Sequence, residues 1–255
     1  MIRLIIPARY HSQRLPGKVL LPIAGHSMLF HVYQVALQSG ADSVVIAADH
    51  PEVVAEAEKI GAPVCWTDTS HRNGTERIAA AAETLGYDDN DVIVSLQADE
   101  PALPPNLIRG LAACLQAHPD SQMASVCQPL RQLSALHDSN VVKVVLNQAG
   151  EAIYFSRAPI PHDRESEATG AEGLIGELAN SYYHHIGLYA YRLGFLKDYV
   201  RWPVCDLEVL ERLEQLRVLF HGHRIQMLIT EESMPGGVDT EADWIEMQRY
   251  FEEQP

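Results

Sequence analysis

The chain has 255 residues, 47% hydrophobic and 21% charged, which is enough apolar material for one large α/β domain or two smaller ones. Its 34 Asp and Glu outnumber 19 Lys and Arg, giving a formal net charge of -15. That balance argues against nucleic-acid backbones and anionic membrane surfaces as partners.

The first apolar run, Leu4 to Ile6, predicts a buried parallel strand that breaks at Pro7. The loop beyond it delivers Arg9, Arg14 and Lys18, and no acidic residue occurs before Asp42. Such a basic loop in an acidic chain, at the carboxyl end of a parallel strand, suggests an anion site; a solvated loop paired with acids elsewhere is the alternative. Met28 to Leu37 has helical apolar spacing, and Gly40 is placed to end it. Val44 to Ala47 reads as a strand, Val53 to Ile60 as a helix, Val64 to Trp66 as a strand and Ile78 to Leu85 as an Ala-rich helix. Asp91 to Leu96 follows as a fourth strand. Repeated β-α-β units with short connections predict a parallel sheet with helices on both faces.

The second half changes character. Val141 to Leu146 and Ala152 to Phe155 flank a turn-rich stretch and predict a hairpin. Residues 162–180 are polar and Gly-rich and read as a mobile loop. His184 to Tyr191 reads as a strand, Leu207 to Phe220 as one helix, Arg224 to Ile229 as a strand and Thr240 to Phe251 as a closing helix. No linker separates the halves, so the expectation is a single domain over 1–255 with a β-rich insertion at about residues 130–190. Cys65, Cys114, Cys127 and Cys205 form no C-x-x-C pair and read as reduced thiols. With no signal segment or membrane-length apolar run, a soluble cytoplasmic protein is expected.

The chemistry-bearing residues cluster at the predicted strand ends. Arg9, Arg14 and Lys18 suit a polyphosphate, Arg by bidentate contact and Lys as a compact charge. The sequence has no G-x-x-x-x-G-K-[ST] and no G-x-G-x-x-G, which removes the main support for a kinase or dehydrogenase. Asp99 lies just past the fourth strand and Asp239 in a Gly-rich turn; the pair can converge on Mg²⁺, or each can be a turn or cap residue. Asn73-Gly74-Thr75 precedes a helix and is either a nucleotide-contacting N-terminus or a plain cap. His185 and Tyr189 fall on one strand face, and Glu211 and Gln215 on one helical face beside Glu214.

The run Pro7-Ala8-Arg9-Tyr10-His11-Ser12-Gln13-Arg14-Leu15-Pro16-Gly17-Lys18 resembles the opening of the bacterial 3-deoxy-manno-octulosonate (Kdo) cytidylyltransferases. The resemblance continues in order through Asn73–Arg77, Gln97–Pro101, Tyr154–Arg157, His185–Tyr189, Leu213–Arg217 and Gly237–Thr240. It implies a Rossmann-like nucleotide-diphospho-sugar transferase fold with a mostly parallel mixed sheet, and a homodimer whose surface is the β-rich insertion. It implies the reaction CTP + Kdo → CMP-Kdo + diphosphate, with Mg²⁺ as cofactor, for lipopolysaccharide synthesis. By the same resemblance Lys18, Arg14, Asp99 and Asp239 are catalytic, with Asp99 and Asp239 as metal ligands. Ala8, Arg9, Arg14, Lys18, Asn73, Gly74, Thr75 and Arg77 belong to the nucleotide site, and Gln97, Arg157, His185, Tyr189, Glu214 and Gln215 to the sugar site. A sialic-acid or 8-amino-Kdo cytidylyltransferase and a non-catalytic nucleotide-sugar binder are the alternatives. Ala98 stands where the family pattern has Gly, which puts the backbone there in question.

Overall fold

Leu4, Ile5 and Ile6 are each 0% exposed and form the middle of strand β1, Ile2–Ala8. An uninterrupted apolar run of this kind suits a strand covered on both faces, and each such side chain contributes about 1.5–3 kcal/mol by its burial. The computed structural model describes residues 1–12, 15–164, 181–232 and 234–253. Arg14 and residues 165–180 of the expected loop lie outside them. The chain divides into two compact units, each assembled from separate stretches of sequence.

The first unit comprises Met1–Ala112, Ala190–Val200 and Ser233–Pro255. After β1 come the short antiparallel pair β2 (Pro22–Ile23) and β3 (His26–Ser27), then β4 (Ser43–Ala48), β5 (Val64–Trp66) and β6 (Val92–Ser95). Strands β6, β1, β4 and β5 lie side by side in that order, and every pairing is parallel. Helices α1 (Met28–Gln38), α2 (Pro51–Lys59), α3 (Gly74–Thr84) and α4 (Pro105–Ala117) make or begin the crossovers. Each of the first three starts at a side-chain cap: Ser27 accepts from Phe30 N, His50 from Glu52 N, and Asn73 from Glu76 N. The β-α alternation read from the sequence is present, with α4 as an element the sequence reading passed over. Helix Glu241–Glu252 starts at Thr240 and packs Met247 against Ile23, Met28 and Val238.

The second unit comprises Ala113–Tyr189 and Arg201–Glu232. Strand β7 (Met123–Pro129), also absent from the sequence reading, pairs in parallel with β11 (Ile225–Ile229). The expected hairpin is present as β8 (Lys143–Leu146) and β9 (Ala152–Ser156), antiparallel and closed by Asn147 N donating to Glu151 O. Strand β10 (Tyr183–Arg192) is antiparallel to β8, so the sheet is mixed but mostly parallel.

The expected single helix from Leu207 to Phe220 is instead two, Asp206–Glu211 and Leu216–Phe220. Arg212 takes a left-handed conformation, φ 56° and ψ 45°, which a continuing helix forbids. Its neighbour explains the break. The Glu211 carboxylate accepts from Ser156 Oγ and Arg157 N, and the Glu211 carbonyl accepts from Arg157 Nε at 2.7 Å. Glu208 and Arg217 then join the two short helices by a buried bidentate pair at 2.6 and 2.7 Å, so this acidic stretch is not a solvated face. Glu211 and Gln215 accordingly do not share one helical face.

Candidate active site

Pro16-Gly17 turns the loop after β1. Gly17 adopts φ 66°, a left-handed conformation that suits glycine, and starts the one-turn 3₁₀ helix that carries Lys18. Asp99 follows β6. Asp239 follows Gly237, where a Cβ would come within 2.8 Å of Glu100 Oε1, so only glycine fits without displacing that carboxylate. These three turns, from opposite ends of the sequence, meet at one ammonium group. Lys18 Nζ donates to Asp99 Oδ2 at 2.6 Å, to Asp239 Oδ1 at 3.0 Å and to the Val238 carbonyl at 3.0 Å, which uses all three of its donors. Val238 N donates in turn to Asp99 O at 2.8 Å and fixes the two acidic turns against each other.

Burial alone would lower the Lys18 pKa. The charge of Asp99, its hydrogen bond and the contribution of Asp239 outweigh that and raise it above its ordinary value. Glu100 shows the opposite balance. Burial, then the Asp99 and Asp239 charges, push its pKa up to about 8, with Lys18 opposing. Asp239 is not the cap of the last helix. Thr240 is, in a capping box with Asp243, and Asp243 Oδ2 also accepts from Asp239 N at 3.0 Å. The Asp239 carboxylate is thereby left facing Lys18.

The Lys18 cluster borders a cleft of about 600 Å³ lined by residues of the first unit, among them Arg9, Arg72, Gly74, Gln97, Asp99 and Asp239. It opens where β1 and β6 end, the expected position for a ligand in a parallel sheet. Arg9 Nη1 donates to the Arg72 carbonyl at 3.3 Å. Arg72, His11 and Ser12 also line the cleft and were not singled out from the sequence; Arg72, directly before Asn73, was the one with a legible signal. Asn73 is the α3 cap, with Oδ1 accepting from Glu76 N at 2.9 Å. Thr75 is half-buried beside it, and Ala8 is fully buried, its place in β1 paired with Ala48. Arg77 is 0% exposed, and its guanidinium donates to Asp49 Oδ2 at 2.7 Å and to Thr67 Oγ1, so it is committed within the fold and is not part of the cleft lining. Ala98 raises no conformational problem, since Ala24 and Arg212 are the described non-glycine residues with positive φ.

The other expected sugar-site residues lie in the second unit. His185 and Tyr189 do share a face of β10, with ring centroids 5.6 Å apart. Tyr189 Oη donates to Gln215 Oε1 at 3.4 Å, and Gln215 Nε2 lies 3.4 Å from His185 Nδ1. Burial, with a smaller contribution from His184, pushes the His185 pKa down to about 3, so the ring is neutral. Burial and the Glu214 charge raise the Tyr189 pKa. Arg157 donates to the carbonyls of Glu211 and Ser139 and is held by the backbone on both sides.

Residues 3–225 match the model of the Cytidylyltransferase family. The chain belongs to the cytidylyltransferase family. Among its relatives, the 3-deoxy-manno-octulosonate cytidylyltransferase of Coxiella burnetii (strain RSA 493 / Nine Mile phase I) is 49% identical over 249 residues, 98% of this chain and 99% of the relative. That of Hahella chejuensis (strain KCTC 2396) is 46% identical over 94% of this chain and 93% of its own. A solved structure of CMP:2-keto-3-deoxy-manno-octonic acid synthetase complexed with CTP superposes with a TM-score of 0.88 at 33% identity, covering 99% of this chain and 98% of that one. The enzyme therefore has a nucleotidyltransferase fold. Among the described residues no group of three or more His, Cys, Asp or Glu is arranged to hold a metal ion, and no helix is long and apolar enough to cross a membrane. Two hard carboxylate ligands on one side of a cleft do fit Mg²⁺, which is ordinarily held by one or two carboxylates, with waters and substrate phosphates completing its shell.

Proposed function

We propose that this enzyme transfers the cytidylyl group of CTP to Kdo, releasing diphosphate and forming CMP-Kdo for lipopolysaccharide synthesis. The observation that carries this reading is the meeting of Lys18, Asp99 and Asp239 at the edge of a cleft also lined by Arg9 and Arg72, in a chain related over nearly its full length to Kdo cytidylyltransferases. The sugar's anomeric hydroxyl oxygen forms the new bond to the α-phosphorus, and the bond from that phosphorus to the oxygen of the departing diphosphate breaks. Arg9 and Lys18, with Arg14 of the same loop, neutralise the triphosphate as negative charge moves onto the leaving group. Gly74, at the start of α3, lets the backbone approach the nucleotide beside Pro7 and Gln97. Asp99 and Asp239 would hold Mg²⁺, which when bound supplies positive charge to phosphate oxygens. Arg157, His185, Tyr189, Glu214 and Gln215 supply the polar surface for the sugar acid.

The test is diphosphate release with CTP and Mg²⁺ against Kdo, 8-amino-Kdo and sialic acid. Kdo is expected to give the highest kcat/KM, and no release with any sugar acid would overturn the assignment. The same reading places the enzyme in the cytoplasm as a homodimer formed through residues 130–190, where Ile153 on β9 is 57% exposed. Light scattering checks the dimer, and an Ile153→Glu variant should weaken it.

A further inference from the structure

Ser125 lies in the middle of β7 and is 0% exposed. Its Oγ is 3.0 Å from the Leu188 carbonyl oxygen, 3.3 Å from that of Ile186 and 2.8 Å from His185 Nε2. A hydroxyl has one proton, and a carbonyl can only accept. If that proton pointed at His185, the serine oxygen would face two carbonyl oxygens at contact distance with no hydrogen between them. Donation to Leu188 O, the nearer of the two, relieves the larger part of that repulsion. The serine oxygen is then an acceptor for the imidazole, and Nε2 must carry the ring proton.

The rest of the network follows in one direction. With the proton on Nε2, Nδ1 is an acceptor, so Gln215 presents its Nε2 amide hydrogen there and its Oε1 towards the Tyr189 hydroxyl. The tautomer of a histidine is set by the bond its other nitrogen makes. Phe155 lies edge-on to the imidazole, with centroids 4.8 Å apart, and limits its rotation. We infer that Ser125 is a positioning residue that holds His185 in the Nε2–H tautomer and thereby orients the Gln215 amide in the sugar-acid subsite. The role in the subsite rests on the Kdo reading above; the tautomer does not.

Two measurements test it on the full-length enzyme. Nitrogen-15 NMR of the neutral histidines, with the His185 signal assigned by its loss in His185→Gln, should show the proton on Nε2. A His185 signal with the proton on Nδ1, or an even mixture, overturns the inference without any Ser125 variant. Ser125→Ala should abolish the single tautomer and raise KM for the sugar acid about fivefold to tenfold, the equivalent of one orienting hydrogen bond, with KM for CTP and kcat unchanged. An unchanged tautomer and an unchanged sugar KM in that variant would also overturn it. If no sugar acid is turned over, the functional reading fails separately and the nitrogen-15 spectrum still decides the tautomer.

Discussion

In the cleft of the first unit the side chains of Lys18, Asp99 and Asp239 are 12%, 27% and 47% exposed and all carry charge. In the second unit Ser125, His185 and Gln215 are 0%, 6% and 3% exposed and neutral, held by hydrogen bonds that run one way. The first arrangement tolerates exchange of partners, because a partly solvated cation can move from a carboxylate to a phosphate at modest cost. The second does not: a dry network that loses one member leaves a buried polar group unsatisfied. On the proposed function, the part that would take up phosphates is built from exchangeable charges and the part that would choose among polyols from fixed dipoles.

The largest expected effect breaks the charged side of this contrast. Lys18→Ala should lower kcat by about 10²–10³, or about 2.7–4 kcal/mol, the cost of removing one well-placed electrostatic donor. Turnover within about tenfold of the parent, measured by diphosphate release, would show that Lys18 only holds the Asp99 and Asp239 turns together and takes no part in the chemistry. Asp239→Asn should lose most of its activity while folding normally, because the helix cap resides in Thr240 and Asp243. Lys18 sits between Asp99 and Asp239, so loss of this partly exposed pair should lower stability by no more than about 1 kcal/mol. Isothermal titration with Mg²⁺ in the presence of CTP is expected to show weaker binding, and parental binding and activity would remove Asp239 from the metal site.

The neutral side is tested by pH. The folded His185 pKa of about 3 lies below its ordinary 6.5, so the unfolded chain binds a proton that the folded enzyme refuses. Stability from this residue is complete above the ordinary value and is lost as pH falls from there towards the folded value. Between about pH 7.5 and 5 the loss should be about 2 kcal/mol. Urea unfolding should show that loss in the parent and not in His185→Gln; parallel pH slopes in the two proteins contradict a buried neutral ring. The smallest effect is expected at Arg72, which lines the cleft but is tied to Glu76 on the surface. Arg72→Ala should raise KM for CTP a few-fold and leave kcat unchanged, and a loss of kcat instead would give Arg72 a part in the chemistry.

Much of the first unit was legible in sequence because its strands are continuous apolar runs and its helices keep a 3.6-residue period. The second unit was less so. Strand β7 was missed, and with it Ser125, since a single serine in a mixed run carries no periodic signal. The helix around Glu211 was misread because its end is decided by Arg157, 54 residues away, through contacts that local propensity does not contain. In the cleft, Lys18 was marked by its basic loop and Asp99 and Asp239 by their turns, the family resemblance favoured ligation over capping, and the structure adds that the three meet. Arg77 shows the limit of a motif: its place in Asn73–Arg77 suggested a ligand contact, and burial gives it Asp49 and Thr67 instead.

The capping box at Thr240 ties a proposed metal ligand to the stability of a single terminal helix. The Asp239 amide is held by Asp243, and the helix is anchored through Met247, Trp244, Tyr250 and Phe251 packed around Ile23 and Met28. Fraying of that segment would release Asp239 while the parallel sheet stayed intact. The fraction of molecules competent for catalysis would then follow the opening equilibrium of residues 240–252, not global unfolding. Warming would silence the enzyme below its melting temperature, and amide exchange in this helix would report that loss first.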